Sequence, residues 1–273
     1  IDCSVNMELY NSTFESNHAD TGAALCMETG ATGSQGSNNE FLSNVALSDG
    51  GAIAFINASD IAVDTYFFYN NTAANGGAIY LTGEDTKANI INSTFKYNNA
   101  TKNGGAIDCN AENIGIYNIT FNSNYAGEYG AALCVESGEI GNIAKNNTFK
   151  NNHAIVVGAA LGWMGSIGIK ITNYTFINNS ADVSGGAIYV SPTSHNCSII
   201  DCNFEDNYVT DKTNGWSGGE GFTWIAWDGT EMIYRTDWTD IPSKATTADV
   251  LPAETIFYYN NTEPYQKKCS CYE

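Results

Sequence analysis

Phe95-Lys96-Tyr97-Asn98, followed six residues later by Gly104-Gly105-Ala106-Ile107, decides the fold, because both motifs recur along most of the chain. A phenylalanine returns every 26 to 28 residues, and an asparagine stands three positions after each one. The pairs are Phe14 and Asn17, Phe41 and Asn44, Phe68 and Asn71, Phe95 and Asn98, Phe121 and Asn124, Phe149 and Asn152, Phe176 and Asn179, and Phe204 and Asn207. A fixed period of this length is typical of a solenoid, in which each repeat stacks on its neighbour.

The glycine motif follows the asparagine in two forms. It reads Gly-Gly-Ala-Ile at 50–53, 76–79, 104–107 and 185–188, and Gly-Ala-Ala-Leu at 22–25, 130–133 and 158–161. Runs with two-residue alternation connect it to the next phenylalanine, so each repeat has about three strand signals separated by Gly and Asn turns. A propeller blade needs about 40 residues. The sequence therefore predicts an all-β parallel β-helix with about 27 residues per coil, its coils stacked about 4.8 Å apart.

Stacking in register predicts the interior of the rod. The phenylalanines should form one core column, and the asparagines should form a ladder at a corner, where they tolerate left-handed backbone. The glycine pairs should permit the angles of the next corner, so a β-branched residue at Gly105 should break it. A second, aliphatic core column is predicted from Ile53, Ile79, Ile107, Leu133, Leu161 and Ile188.

The repeat divides the chain into a regular β-helix of eight repeats at 1–210 and a divergent end at 211–273. Phe257-Tyr258-Tyr259-Asn260 resembles Phe67-Phe68-Tyr69-Asn70, and Tyr258 lies 54 residues, or two periods, after Phe204. We therefore expect two further coils, interrupted by an irregular loop at about 242–253. Aromatic residues concentrated here could form a binding surface, or a cap over the open end of the solenoid: Trp216, Trp224, Trp227, Tyr234 and Trp238.

Composition excludes several classes of function. With 43% hydrophobic residues, 16 Tyr and 12 Phe, the chain has ample material for a core. A net charge of -19 repels nucleic-acid phosphates and anionic lipids. No stretch approaches the roughly 20 apolar residues that cross a bilayer. We expect no nucleic-acid partner and no membrane insertion by this segment, and the initial Ile1 suggests a processed or excised piece.

Eight cysteines and eleven Asn-X-Ser/Thr sites together indicate an oxidising, extracellular setting. A repeat rich in Asn and Thr also creates such triplets by chance, so the prediction depends on the combination. Candidate glycosylation sites are Asn11, Asn57, Asn70, Asn92, Asn99, Asn118, Asn146, Asn173, Asn178, Asn196 and Asn260. Candidate disulfide cysteines are Cys3, Cys26, Cys109, Cys134, Cys197, Cys202, Cys269 and Cys271. Cys109 to Cys134, with an offset of one residue along the coil, and Cys3 to Cys26 are conceivable pairs between coils.

Strand alternation sorts these acceptor sites. In Asn-X-Thr-Phe the phenylalanine points inward, so the threonine before it and the asparagine three before it point outward. The sequence therefore predicts that five acceptor sites line one outer face: Asn11, Asn92, Asn118, Asn146 and Asn173.

Parallel β-helices also carry pectin lyases and polygalacturonases, so an enzyme is one alternative. A lyase needs a base over aspartates that bind Ca²⁺, and a glycosidase needs two carboxylates facing one sugar bond. The chain has no Asp-Asp pair, and its only arginine, Arg235, lies outside the regular repeats. His18 and His153 share one repeat position, which favours a corner role, and His195 stands alone. The sequence predicts a protein that is not an enzyme.

Metal binding has even less support in the sequence. Cys197 and Cys202 make no recognised zinc spacing with His195. Acidic residues such as Asp20 and Asp206 are explained more simply as a solvated face than as a Ca²⁺ site. We therefore expect no cofactor, and Ca²⁺ is an unsupported alternative.

The pairing of Phe-X-X-Asn with Gly-Gly-Ala-(Ile/Leu/Val) over about residues 1–210 resembles the repeat of chlamydial polymorphic membrane proteins and of adhesin-like surface proteins of methanogenic archaea. The many acceptor sites and the acidity resemble the archaeal group more closely. The resemblance implies a right-handed parallel β-helix that is displayed on a cell surface and used for attachment.

The leading hypothesis is an extracellular, adhesin-like surface protein, a rigid glycosylated rod that presents a binding surface to another cell-surface protein or a glycan. A second hypothesis is a structural subunit of a filament or sheath, because coils of successive copies can stack end to end. A third is a carbohydrate-active β-helix enzyme.

Overall fold

The computed structural model describes residues 1–137, 144–166, 168–183, 185–191, 197–200 and 202–210, and three further strands at 224–227, 232–235 and 256–259. The chain winds into a parallel β-solenoid of about seven turns with about 27 residues per turn. The predicted fold class is therefore confirmed. Each coil contributes four strands rather than the predicted three, because two residues after each buried asparagine also pair between coils.

The strands form four parallel sheets, which we name by their inward residues. The aliphatic sheet contains Asp2–Cys3, Leu25–Met27, Ile53–Ile56, Ile79–Thr82, Ile107–Asn110, Leu133–Ser137, Leu161–Trp163 and Ile188–Val190. The variable sheet contains Glu8–Tyr10, Gln35–Ser37, Ile61–Asp64, Ala88–Ile91, Gly115–Tyr117, Ala144–Lys145, Lys170–Thr172, Cys197–Ile200 and Ile256–Tyr259. The phenylalanine sheet contains Thr13–Glu15, Glu40–Leu42, Phe67–Tyr69, Thr94–Lys96, Thr120–Asn122, Thr148–Lys150, Thr175–Ile177 and Asn203–Glu205. The alanine sheet contains His18–Ala19, Val45–Ala46, Thr72–Ala73, Asn99–Ala100, Tyr125–Ala126, His153–Ala154, Ser180–Ala181 and Tyr208–Val209.

The phenylalanine column runs through the interior as predicted. Phe95 pairs in register with Phe68 on one side and with Phe121 on the other. Ring centroids of successive phenylalanines are 4.5 to 5.1 Å apart, and the rings are inclined by at most 20°. Burial of each side chain stabilises the rod by roughly 1.5–3 kcal/mol, so this column is a major part of the core.

The aliphatic column is also confirmed. Ile107 pairs with Ile79 and with Leu133, and all three side chains are fully buried. The column belongs to the same continuous core as the phenylalanines. Both columns follow from parallel pairing in register, which places equivalent residues of successive coils above one another.

The asparagine three positions after each phenylalanine forms the buried asparagine ladder, which runs from Asn17 to Asn207. Asn98 illustrates it: its Nδ2 donates to Asn124 Oδ1 at 3.0 Å and to the Phe68 carbonyl at 3.1 Å. Its Oδ1 accepts from the Nδ2 and the backbone N–H of Asn71. The same bonds join each coil to the next, so every interior amide is saturated where water cannot reach it.

The prediction that these asparagines adopt left-handed backbone is wrong, because the residue before them takes that conformation. Tyr97 has φ of +58°, and Asn151 at the equivalent place has φ of +55°. A left-handed residue turns the chain at the corner, and the next residue can then point its side chain inward.

The two glycines of the motif have different roles. Gly104 has φ of +62°, and a Cβ in that conformation would collide with the carbonyl group of Ile107, so this turn requires glycine. Gly105 has no such angle, but a Cβ there would collide with the carbonyl oxygens of Ala131 and Tyr125 in the next coil. The prediction that both glycines serve the corner angles is therefore correct only for the first.

The C-terminal strand departs from the sequence prediction. Ile256–Tyr259 pairs in parallel with Cys197–Ile200 of the variable sheet, with Tyr258 opposite Ile199. The expectation that Tyr258 continues the phenylalanine column two periods beyond Phe204 is wrong. A single short stretch of similar aromatic sequence does not determine the register of a strand. The loop at 242–253 lies outside the described residues, and the domain boundary at residue 210 stays a prediction.

Candidate functional surfaces

Four acceptor sites line the corner between the variable and phenylalanine sheets, where they form the exposed asparagine ladder. Asn118 Nδ2 donates to Asn92 Oδ1 at 3.2 Å, Asn146 Nδ2 to Asn118 Oδ1 at 3.3 Å, and Asn173 Nδ2 to Asn146 Oδ1 at 2.7 Å. All four are exposed and have φ between +51° and +58°. Asn11 is exposed with φ of +49° at the equivalent place in the first coil. These five asparagines therefore lie along one outer edge.

The other acceptor sites are scattered over the rod. Asn70 and Asn178 are exposed at the next corner, whereas Asn57 and Asn99 are half-buried. Asn99 lies in the alanine sheet, and its buried Oδ1 has no hydrogen-bond partner. Asn196 and Asn260 lie outside the described residues.

The two proposed disulfide pairs are not formed, and Cys3, Cys26, Cys109 and Cys134 carry free thiols. Cys109 pairs in register with Val135, one position away from Cys134, and Cys3 is likewise offset by one position from Cys26. A one-residue offset turns two side chains to opposite faces of a sheet. Cys109 accordingly packs in the core, whereas Cys134 does not.

The other four candidate cysteines were not assigned to pairs. Cys202 is buried in the core, and only the backbone strand of Cys197 is described. Cys269 and Cys271 lie outside the described residues.

The tryptophan-rich segment is described only as a pair of strands. Trp224–Trp227 pairs antiparallel with Met232–Arg235, with Ile225 opposite Tyr234. Trp216 and Trp238 lie outside the described residues. The choice between a binding surface and a cap therefore stays a prediction.

An aromatic patch, which the repeat analysis missed, lies on the outer face of the phenylalanine sheet. Its members are Phe67, Tyr69, Lys96 and Tyr97. Tyr69 is 38% exposed and Tyr97 is 46% exposed, and their rings meet edge to face with centroids 5.6 Å apart. Lys96 Nζ lies 5.0 Å from the centre of the Tyr97 ring, and Phe67 packs against Tyr69 at 6.0 Å. The signal in the sequence was Phe67-Phe68-Tyr69, whose outer residues are aromatic where most repeats have polar ones.

A second missed feature, the buried thiol-acid cluster, lies on the aliphatic sheet. It consists of Asp108 in one coil and Cys134 and Glu136 in the next, each with one ligand atom within 4.8 Å of the others. Asp108 is directly opposite Cys134 in register, and a bulge in the pairing leaves Glu136 as the extra residue of its strand. Asn103 Nδ2 donates to Glu136 Oε1 at 2.6 Å. Three groups with exchangeable protons therefore converge between two coils.

The cluster's electrostatics follow from burial. Desolvation, followed by the charges of Glu136 and Asp49, raises the pKa of Asp108 well above its ordinary value, although hydrogen bonds to the Cys109 backbone and the Cys134 side chain oppose the rise. Desolvation, followed by the charges of Asp108 and Glu136, raises the pKa of the Cys134 thiol. Burial and the neighbouring negative charges therefore both oppose ionisation of these two groups.

The same three residue types recur at the N-terminal end of the aliphatic sheet. Asp2 is opposite Cys26 in register, and Glu28 completes a group with the same 4.8 Å limit. Asp2 and Glu28 are exposed, so water solvates this second group. The sequence signal is visible in retrospect as two copies of Ile-Asp-Cys, each followed by Gly-Ala-Ala-Leu-Cys-X-Glu one coil later.

His153 lies beside a serine and an aspartate. Its Nδ1 is 2.9 Å from Ser180 Oγ, and its Nε2 is 3.8 Å from Asp182 Oδ1. The backbone N–H groups of Ser180 and Asp182 donate to carbonyls of the preceding coil, so neither can stabilise an oxyanion. His18 and His153 both lie in two-residue strands of the alanine sheet, so their shared repeat position is a strand and not the predicted corner. His195 lies outside the described residues.

Three segments, residues 64–82, 92–110 and 173–191, match the family model of the Chlamydia polymorphic membrane protein repeat. Each begins at the corner between the variable and phenylalanine sheets and ends at or just after its strand of the aliphatic sheet. The chain carries repeats of this type in three coils. No curated protein and no solved structure matches the chain. Within the described residues, no helix is long and apolar enough to cross a membrane.

The repeat match and the β-solenoid together fit a surface protein of the adhesin-like type. The expectation of an archaeal source is not tested by this match and stays a prediction.

Proposed function

We propose that this chain is the stiff rod of a non-enzymatic, extracellular surface protein that attaches cells to a glycan or to another surface protein. The observation that carries the proposal is the match of segments in three of the coils to the polymorphic membrane protein repeat. The repeated Phe, Ile, Asn and Gly residues form the core, the buried asparagine ladder and the turns, so recognition must use residues that point outward.

The aromatic patch is the recognition surface we propose. Exposed tyrosine rings offer apolar faces for sugar rings or for an interface, with hydroxyls that can donate and accept hydrogen bonds. Lys96 adds a positive charge to a strongly acidic molecule. The patch lies on two paired strands and the corner that follows them, so binding would not require ordering of a loop.

The experiment measures binding of the labelled chain to a glycan array and to cultured cells. We expect the double variant Tyr69→Ser and Tyr97→Ser to lose most of the binding. The matched control, Ile155→Ser and Val183→Ser, removes two exposed apolar residues near the alanine sheet, 41% and 40% exposed, and should bind as the native chain does. Equal loss in both double variants would contradict the assignment of the patch.

Two measurements on the same sample separate the other hypotheses. Regular fibres in electron micrographs at moderate concentration would favour a filament subunit over an isolated rod. Release of reducing or unsaturated sugar from a polysaccharide panel would overturn the non-enzymatic assignment.

We further propose that the rod is glycosylated along the edge lined by Asn11, Asn92, Asn118, Asn146 and Asn173. Their exposure supports the proposal. Successive coils are only about 4.8 Å apart, so bulky glycans cannot occupy every site of the exposed ladder at once. Mass analysis of the natively expressed protein should therefore show partial occupancy there, and an unmodified mass would contradict the proposal.

A further inference from the structure

The buried thiol-acid cluster has a deficit of positive charge. Within the described residues, the only ion pair joins His153 to Asp182, so neither Asp108 nor Glu136 has a lysine or arginine partner within 4.0 Å. Burial of unpaired carboxylates is costly, and proteins usually neutralise them by a proton, a cationic side chain or a metal ion.

The cluster also contains an unsatisfied buried oxygen. Asp108 is only 1% exposed, and its Oδ1 has no hydrogen-bond partner. A buried carboxylate oxygen without a donor costs free energy that a ligand at this place would recover. Asn103, which donates to Glu136, likewise has a buried Oδ1 without a partner. A proton, a water molecule or a cation can satisfy such oxygens, and the convergence of a thiol with two carboxylates favours the cation.

The donor set selects the cation. Ca²⁺ requires six to eight oxygen ligands, and Mg²⁺ prefers octahedral oxygen and water. A thiolate with two carboxylates instead suits Zn²⁺, which binds Cys sulfur at about 2.3 Å and carboxylate oxygen at about 2.0–2.2 Å in a tetrahedron. In such a site the donor atoms are about 3.4–3.6 Å apart, so the three residues need only small side-chain movements from their separation of at most 4.8 Å.

We propose that Asp108, Cys134 and Glu136 form a zinc site that joins two neighbouring coils of the solenoid. Sγ of Cys134 and one oxygen from each carboxylate are the three protein ligands, and water takes the fourth position. On binding, the Cys134 S–H bond is replaced by an S–Zn bond, and its proton passes to the buffer, as does any proton on Asp108. No electron is transferred.

Recurrence of the same residues supports the assignment independently. The group of Asp2, Cys26 and Glu28 repeats the pattern at equivalent register positions. Because its carboxylates are exposed, water competes for them and the affinity for zinc should be lower. This group therefore serves as the internal comparison.

The test uses the full chain, reduced, stripped of metal with a chelator, and titrated with ZnCl2 by calorimetry and with CoCl2 by absorption spectroscopy. We expect saturable zinc binding with proton release, seen as a dependence of the heat on the buffer, and a thiolate-to-cobalt charge-transfer band. Cys134→Ser should remove the strong binding event and its band, whereas Cys26→Ser should keep both.

Glu136→Gln provides a second variant, because Glu136 is half-buried and its replacement should not impair folding. Loss of even an outer-shell partner lowers metal affinity by about 10- to 100-fold, so loss of this ligand should weaken zinc binding at least about tenfold. The proposal is overturned by absence of saturable binding to the native chain, by strong binding that depends on Cys26 rather than Cys134, or by unchanged affinity in folded Glu136→Gln.

Discussion

Two asparagine ladders run along the same rod, one in its interior and one on its surface. Their side-chain bonds have similar lengths, 2.8 to 3.0 Å in the buried ladder and 2.7 to 3.3 Å in the exposed one. Inside, the amides also accept from backbone N–H groups and donate to phenylalanine carbonyls. Outside, water can replace each bond. The same residue is therefore obligatory in one place and replaceable in the other.

The exposed asparagines are selected by backbone geometry rather than by their side-chain bonds. Thr65 occupies the same corner position in the third coil with φ of +59°, and the solenoid continues there without an asparagine. Asparagine adopts left-handed backbone more readily than other non-glycine residues. At this corner the amide ladder is thus a consequence of the preference for that angle.

The largest expected effect comes from adding a side chain where the interior has no space for one. Gly105→Val places a Cβ against the carbonyl oxygens of Ala131 and Tyr125, which belong to the neighbouring coil. The coils must separate, so we expect a loss of about 4 kcal/mol or more of unfolding free energy, at the upper end for single substitutions. Urea unfolding followed by circular dichroism measures this loss.

Gly105→Ala is the graded control for that experiment. Alanine occupies the equivalent position at Ala131, where it is fully buried. The methyl group alone should therefore cost less than valine. Equal unfolding midpoints for Gly105→Val and the native chain would refute the role given to this contact.

The next effect compares the two ladders directly. Asn98→Ala removes the acceptor of the Asn71 backbone N–H and of one Asn71 side-chain N–H, and it removes the side-chain donor to the Phe68 carbonyl. We expect a loss of about 3 kcal/mol. Asn118→Ala on the surface should cost less than about 0.5 kcal/mol. Hydrogen exchange of the backbone amides should localise the loss to the coils around Asn98. Similar losses in both variants would remove the distinction between the ladders.

A smaller effect on the free energy of unfolding is expected only at high pH, where the Tyr66 hydroxyl ionises. Burial, opposed by a hydrogen bond to Asn39, raises the pKa of Tyr66 to about 12. Because the folded protein keeps Tyr66 protonated, its contribution is fully present below the ordinary tyrosine pKa of about 10 and is lost as the pH rises toward 12. A shift of this size corresponds to roughly 2–3 kcal/mol. Tyr66→Phe should therefore flatten the alkaline loss of stability.

Tyr97→Phe is the matched surface control for that titration, since Tyr97 is exposed. Stability curves of the native chain and of both variants, measured by urea unfolding between pH 8 and about 12, decide the question. An unchanged alkaline slope in Tyr66→Phe would show that burial of this hydroxyl does not limit stability.

Most of the interior could be predicted from the sequence. The columns of Phe95 and Ile107 and the ladder of Asn98 follow from a constant period, because stacking in register places equivalent residues of successive coils above one another. Strand alternation likewise placed Asn92 and Asn118 on the outside. These inferences needed only local patterns and one repeat length.

The surface could not be predicted in the same way. The meeting of Tyr69 with Tyr97 depends on the left-handed turn at Tyr97, and that of Asp108 with Glu136 depends on a bulge after Cys109. The one-residue offset between Cys109 and Cys134 could be predicted from the aliphatic column, and it is why the bridge between them is absent. The strand at 256–259 pairs with the variable sheet, and this register could not be read from its short similarity to one repeat.

By itself, the sequence determined the solenoid, its period, its two apolar columns and its asparagine ladder. These properties repeat, and in every repeat the same residue types pack or hydrogen-bond with their equivalents in the next coil. Only the tertiary structure decided which glycine is needed for its angle and which for its close contact, and which polar side chains converge between coils. Such contacts join residues about 27 positions apart, and their geometry depends on register, bulges and burial, which no single repeat contains.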